Sequence, residues 1–381
     1  MRIAVRPRIV YLSYDGAAEP LGRSQVLGYL LRLAGEHDIT LISFEKGRAG
    51  RDALRDELFR AGIAWVPLDY HRRPPVLSTL LDVLAGRRAL VRVARAGRVD
   101  VVHVRSYVPA LIALLADRVA PAPLLFDIRG FWADERVEGG LWRAGGALYR
   151  IAKRCERRFF ARADSVVTLT DASLPSIRSW TAGRGVPIEV IPTCVDLEAF
   201  AATQPRAGGP HAVWCGSIGT WYRFDLAIAL AAAGDLPLTV LTRQTELARR
   251  ALAGRAADVR SVAPAAIARA LHAGDLGLCL IAPSFSKLAS APTRFAEYLA
   301  AGMPVAVTPV GDLERLVEDH GVGVVLRDED DGSLRAAAAR LRELAADVTV
   351  RERCRRLAAE RFDVRQGSAR YAALYERLAG G

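Results

Sequence analysis

The sequence predicts an α/β fold of two doubly wound, mostly parallel sheets followed by a helical tail. Three observations carry this. Short β-branched runs alternate with longer amphipathic stretches along most of the chain, the pattern of strand–helix–strand units. The alternation fails once, around DLEAFAATQPRAGGP (196–210), where Gly and Pro collect, and then restarts. Finally, 381 residues are too many for one typical core but suit two domains. The expected bounds are 1–200 for the first domain, 201–362 for the second and 363–381 for a last helix.

In chain order, RIVYLS (8–13), ITLISF (39–44), IAWVPL (63–68), VDVVHV (99–104), PLLFDIR (123–129), SVVTLT (165–170) and IEVIPT (188–193) read as buried strands of the first sheet. Helical stretches such as SQVLGYLLRLAG and DALRDELFRAG lie between them, the second closed by a Gly stop. After the break come HAVWCG (211–216), LPLTVLT (236–242), DVRSV (258–262), LGLCLI (276–281), PVAVT (304–308) and VGVVL (322–326). Helices at 333–347, 349–361 and 366–379 finish the chain. Ligands of such sheets bind beyond the carboxyl ends of the strands, so two facing domains would form one cleft.

Half of the residues are hydrophobic and a quarter charged, the balance of a globular enzyme rather than a disordered chain. Net charge is +11, carried by 50 Arg and only 3 Lys. Residues 1–200 hold 30 basic and 22 acidic side chains, so the first half carries most of the excess. That favours an anionic partner there, or reflects an Arg-rich composition without a target. No patch of aromatic and basic residues accompanies the charge, and nucleic acid is not an expected partner. Five scattered cysteines without CxxC or His at ligand spacing read as reduced thiols of a cytosolic protein, without structural zinc. No signal leader opens the chain, and its longest apolar run, YVPALIALLA, is about half of the ~20 residues a membrane span needs. The expected location is the cytoplasm or the inner face of the membrane. LYRIAKRCERRFFARAD (148–164) reads as a basic amphipathic helix; it could lie on anionic lipid, but packing of its apolar side on the sheet is the favoured reading.

The chemistry concentrates in SFSKLASAPTRFAEYLAAGMPVAV (284–307). Packing asks for none of its polar residues. LGLCLI ends near Ile281, so Ser284 to Ser290 form the loop past its carboxyl end. A helix is expected from about Thr293 to Ala301, with Pro292 in its first turn, Ser290 or Ala291 near its N-cap and Gly302 as its stop. Its free backbone N–H groups would cradle a diphosphate, Lys287 would add a mobile cation, and Glu297 could accept two ribose hydroxyls.

The stretch SAPTRFAEYLAAGMPV resembles the donor-binding segment of retaining glycosyltransferases of the GT-B fold, glycosyltransferase family 4, with Arg294 where Lys is common. YLSYDGAAEPLGRSQVLGYL, FDIRGFWADERVEGGLW, ARADSVVTLTDA, IEVIPTCVDLEAF and VWCGSIGTWYRFD resemble further family segments, so the likeness runs through most of the chain. The resemblance implies two Rossmann-like domains, an N-terminal acceptor domain and a C-terminal donor domain, with the last helix packing back on the first. It implies that Glu297 binds the nucleotide ribose and that Lys287 and Arg243 hold the diphosphate. Gly216 and Ser217 would border the phosphates, Thr293 and Tyr298 would lie near the nucleotide, and Gly16 and Gly22 would let the backbone approach the donor. Two positions depart from the family: Ala289 stands where a sugar-contacting Glu is frequent, and Arg129 stands where a His is frequent. Asp127, Arg129, Asp134 and Glu135 crowd one strand end. They form either an Asp–Arg structural pair or a site in which Arg129 faces phosphate or acceptor and Asp134 orients an acceptor hydroxyl.

The implied activity is sugar transfer from a nucleoside-diphosphate-sugar co-substrate to the hydroxyl of a saccharide or lipid-linked acceptor. It would proceed with retention, without metal or other cofactor, in polysaccharide or glycolipid synthesis, with contact to an anionic membrane as a further expected partner. A nucleotide-sugar epimerase and a non-catalytic nucleotide-sugar-binding partner or sensor are the alternatives. His103 reads as a hydrogen-bonded core histidine, and Asp328-Glu329-Asp330 as a solvated loop rather than a metal motif.

Overall fold

In the computed structural model, residues 6–201 and 209–380 are described; the central part of the expected linker, 202–208, and Gly381 lie outside them. The chain divides into two compact units. The first holds the chain up to Leu169, Ser173–Ile191 and the chain from Val364; the second holds Thr170–Ala172 and Pro192–Asp363.

The first unit contains a parallel sheet of β1 (Arg8–Ser13), β2 (Asp38–Glu45), β3 (Ala64–Asp69), β4 (Val101–Arg105), β5 (Leu124–Asp127), β6 (Ser165–Thr168) and β7 (Ile188–Val190), in the order β3-β2-β1-β4-β5-β6-β7. In register, Ile9 faces Ile39 on one side and Val101 on the other, and Leu12 faces Ile42 and Val104. The order reverses between β1 and β4, which makes their carboxyl ends the switch point of this sheet. β5 stops earlier than the apolar run suggests because Arg129 and Gly130 take φ of 59° and 137°, outside the extended region. The helical run after β1 begins at Pro20, four residues ahead of the expectation, and passes through a π turn at Arg23–Leu27 before the helix Gly28–Leu33. The last helix, Val364–Gly380, packs against Gly28–Leu33 and belongs to this unit.

The second unit repeats the design with β8 (Ala212–Cys215), β9 (Leu238–Leu241), β10 (Asp258–Arg260), β11 (Leu276–Cys279), β12 (Val305–Val307) and β13 (Gly323–Val325), ordered β10-β9-β8-β11-β12-β13. Its switch point lies between β8 and β11. Alternate side chains leave the sheet on opposite faces. Val213, Cys215, Leu241, Cys279 and Val305 enter one core, while Ala212, Trp214, Val240, Leu278 and Ala306 enter the other. Both faces are therefore dry, which explains strands that read as continuous apolar runs. Among the described residues no helix is long and apolar enough to cross a membrane.

Candidate functional site

At the switch point of the second sheet, two loops meet. The loop after β8 is stitched to the segment after β11, since the Ala282 N–H donates to the Trp221 carbonyl (2.8 Å) and the Arg223 N–H to that of Leu280 (3.1 Å). Gly216 opens the first loop at φ 123°, a conformation that L side chains avoid, and an added Cβ would stand 2.6 Å from Nη2 of Arg294. Glycine is required here because a guanidinium lies against the backbone. Ser217 is exposed beside it.

The segment after β11 turns through a 3-10 helix at Phe285–Ala289 and enters the helix Thr293–Ala300. Its N-cap is Pro292, not Ser290 or Ala291, and no side chain caps it. Pro292 has no N–H and an extended ψ, which sets the chain direction without a hydroxyl. Gly302 at φ 74° ends the helical segment, as its sequence position suggests.

Lys287 corrects the expectation of a mobile cation. It is buried, with 7% exposure, and its Nζ sits 4.1 Å from the centre of the Trp221 ring. Arg294 is equally buried, its guanidinium 4.9 Å from the Trp214 ring and 4.4 Å from that of Tyr222, and its Nη1 has no hydrogen-bond partner among the described residues. Glu297 lies one turn further along, half-buried. Burial pushes its carboxyl up to about 7, although the charge of Arg294 pulls the other way. Thr293 is half-buried at the first position of the helix. Arg243 is exposed in the turn between β9 and the helix Thr245–Leu252.

Tyr298, expected near the nucleotide, has its side chain in the core. It is wholly buried, its ring fills the space over Gly277, and its hydroxyl accepts from the Cys215 N–H (2.8 Å) and donates to the Val213 carbonyl (3.1 Å). It fastens the helix to β8 from below. Burial raises its titration, so the hydroxyl keeps the proton it donates. Sequence reasoning missed Trp221, Tyr222 and Gln244. The Gln244 amide exchanges hydrogen bonds with the backbone of Ile218 (2.8 and 3.4 Å), tying the loop after β9 to the loop after β8. Two adjacent aromatics inside GSIGTWYRFD are a signal available in the sequence; a lone Gln is not.

The switch point of the first sheet holds a buried polar cluster. Asp127, at the end of β5, accepts from the Tyr371 hydroxyl (3.1 Å) and lies 3.7 Å from Nη1 of Arg129 and 3.8 Å from Nη1 of Arg105. Burial alone would raise its titration, but Arg129, His103 and Arg105 outweigh it and hold the carboxyl below its usual range. Arg129 also donates to Oε1 of Gln25 (3.3 Å). His103 is a core histidine, with Nδ1 2.7 Å from the Tyr375 hydroxyl. Arg105, Asp15 and Gln25 belong to this cluster, and none stood out in the sequence.

Asp134 departs from the expected acceptor-orienting role. Its carboxylate is buried and taken by the Tyr149 hydroxyl (2.8 Å) and Lys153 Nζ (3.0 Å), a structural bridge to the helix Ala147–Arg162. Gly16 and Gly22 approach each other rather than open space: a Cβ on Gly22 would lie 2.0 Å from the Gly16 carbonyl oxygen. The N–H groups after Gly16 are also occupied, since Ala17 and Ala18 donate to the Glu45 carboxylate (2.8 and 3.1 Å). Glu329 pairs with Arg223 and Asp330 caps the helix Asp331–Ala346, so the acidic run has structural duties; no metal-ligating cluster occurs among the described residues.

Residues 25–199 match the family model Glycosyltransferase Family 4. No curated protein matches the chain in sequence. Solved structures match it over nearly its whole length. A glycosyltransferase from Rickettsia africae superposes with a TM-score of 0.71 at 14% identity, covering 98% of each chain. The sucrose-phosphate synthase of Thermosynechococcus elongatus gives 0.70 at 14% identity over 98% of this chain and 100% of that one. HepE of Anabaena, solved in complex with UDP and glucose, gives 0.69 at 15% identity over 96% and 98%. The fold is GT-B, two Rossmann-like α/β domains with parallel sheets.

Proposed function

We propose that this chain is a glycosyltransferase that moves a sugar from a nucleoside diphosphate to an acceptor hydroxyl. The observation that carries the reading is the grouping of Lys287, Arg294, Glu297 and the start of the helix Thr293–Ala300 at one switch point, where ligands of such sheets bind. The family match over residues 25–199 and a fold shared with structures solved with UDP and glucose support it.

The chemistry is electrostatic. As the sugar–phosphate bond breaks, negative charge grows on the diphosphate, and cations fixed beforehand stabilise it without reorganising. Lys287 and Arg294 are fixed by burial against aromatic rings, and exposed Arg243 would close on the phosphates from the edge. Ionised Glu297 would hold the ribose hydroxyls. Retention of configuration, with the leaving phosphate taking the acceptor proton, follows from the family resemblance, as does a saccharide or lipid-linked acceptor in cell-surface polysaccharide or glycolipid synthesis. In this reading the fixed cations stand in the place a metal ion takes in other transferases. Activity should therefore survive a chelator, and its loss would overturn the metal-free part.

A thermal-shift screen with UDP, GDP, ADP and CDP and their sugars tests the donor. One nucleotide should raise the melting temperature, because a ligand of the folded form alone stabilises it. That donor, mixed with candidate acceptors, should yield a glycosylated product. Binding without turnover with every acceptor would favour the non-catalytic sensor. Free altered sugar without acceptor would favour the epimerase.

A further inference from the structure

The helix Pro75–Arg95 shows water a side that a folded chain normally hides. Val76, Leu77, Leu80, Leu81 and Leu84 are 66%, 61%, 53%, 58% and 38% exposed. Successive side chains turn by about 100° along a helix, so these five share one side. Exposed large apolar residues scattered singly need no explanation, but a contiguous stripe marks a binding surface.

The same line continues in a different chemistry. Leu77, Leu81 and Leu84 are followed at helical spacing by exposed Arg88, Arg92 and Arg95, and exposed Arg72 and Arg73 precede the helix. Its one acidic residue, Asp82, is fully buried on the opposite side, where it accepts from the Tyr14 hydroxyl (2.7 Å) and from the His71 N–H (3.2 Å). The outward side of this helix is thus apolar, then cationic, with no acidic side chain. Arg87 ties it to the neighbouring helix Tyr107–Ala116 by donating to the Leu115 carbonyl, beside exposed Leu115 and Val119. That helix packs in turn on Ala147–Arg162, whose Leu148 and Ile151 are also exposed among arginines. For Ala147–Arg162 the sequence favours packing of the apolar side on the sheet; this holds for Phe159 and Phe160 but not for its first turns.

We infer that the outward side of the helix Pro75–Arg95 docks on an anionic lipid surface, leucines entering the acyl boundary and arginines meeting the headgroups. The charge decides the occupant. A second copy of this chain would bring the same arginines against themselves, whereas an anionic bilayer complements them and accepts apolar side chains without a shaped partner. The inference does not rest on the glycosyltransferase reading, and its test needs no turnover.

The full chain is sedimented with phosphatidylcholine vesicles made with and without phosphatidylglycerol. Wild type should bind the phosphatidylglycerol vesicles at least about tenfold more tightly than the neutral ones. Replacing Leu77, Leu80 and Leu81 together by Gln should weaken that binding about tenfold or more, with melting temperature unchanged because these side chains touch water. Arg88→Glu with Arg92→Glu should abolish the preference for phosphatidylglycerol, and this pair decides the matter if the leucine variant fails to fold. Equal binding by both variants, or no binding of wild type to any vesicle, overturns the inference. A wild-type dimer in light scattering that the leucine variant dissolves, without vesicle binding, assigns the surface to a second copy instead.

Discussion

Replacing Glu297 by Gln should make the protein more stable and a poorer nucleotide binder at once. A carboxyl that titrates near 7 in the fold and near 4.5 in the unfolded chain takes up a proton on folding between those values. Its contribution to stability is full below pH 4.5 and disappears as pH rises through 7. Once both states are ionised, the buried charge costs the fold about 3 kcal/mol, an upper figure for a half-buried group. Gln has the same shape and never ionises, so the variant should gain stability over wild type as pH rises from 5 to 8 and match it at pH 4.5. Loss of a charged acceptor for ribose hydroxyls should weaken nucleoside diphosphate binding by about 2 kcal/mol, roughly 30-fold, at pH 8. Melting curves and calorimetric titrations across pH, always as the ratio to wild type so that ionisation of the phosphate cancels, read both effects. Stability curves that run parallel would mean that Glu297 is an ordinary surface carboxylate. A gain in stability without loss of affinity would leave the burial intact and remove the ribose from the argument.

Four other substitutions separate chemistry from architecture. Lys287→Ala should lower turnover about a hundredfold while weakening nucleoside diphosphate binding less than tenfold, since the charge that Lys287 meets grows in the transition state; equal losses in both would reduce it to a binding residue. Gly22→Ala should destabilise the first unit by about 3 kcal/mol in thermal or urea unfolding, because the added carbon meets a backbone carbonyl at 2.0 Å. Gly35→Ala, whose added carbon meets nothing within 4 Å, should be close to neutral in the same assay. Asp134→Asn should lower the melting temperature by weakening the bridge to Lys153 and leave turnover per folded molecule within about threefold; a larger fall in turnover at unchanged stability would restore an acceptor-orienting role.

Strands were the most legible feature, and the reason is burial on both faces. β1, β8 and β11 have no wet side, so their sequences are short apolar runs that no amphipathic helix imitates. Helix ends were legible where one residue decides them, as at Gly302, and illegible where three neighbours compete, as at Ser290, Ala291 and Pro292. Side-chain partners across long sequence distances were not readable at all. Nothing near Tyr298 announces that its hydroxyl closes on Val213 and Cys215, and nothing near Asp127 announces Arg105 or Tyr371. The stripe on Pro75–Arg95 was hidden for a related reason. A pattern of leucines says which residues are apolar, but not which of two apolar sides finds a partner within the fold.

The two switch points dispose of their charges in opposite ways, and this bears on which one would suit the proposed diphosphate. In the first unit the cations face carboxylates: Arg105 has Asp15 at 3.5 Å and Asp127 at 3.8 Å, and Arg129 has Asp127 at 3.7 Å. Such pairs spend most of their field on each other. In the second unit the buried cations rest on rings, Lys287 on Trp221 and Arg294 on Trp214 and Tyr222. A ring face stabilises a cation through its quadrupole without cancelling its formal charge. Glu297 is the carboxylate nearest this group in sequence, and burial keeps it protonated to about pH 7. The neutral acid leaves the cations more fully available to phosphate, and arrival of a ribose supplies the hydroxyl donors that favour its ionised form. On the proposed reading, such a site would be electropositive before the donor binds and balanced only after it has bound.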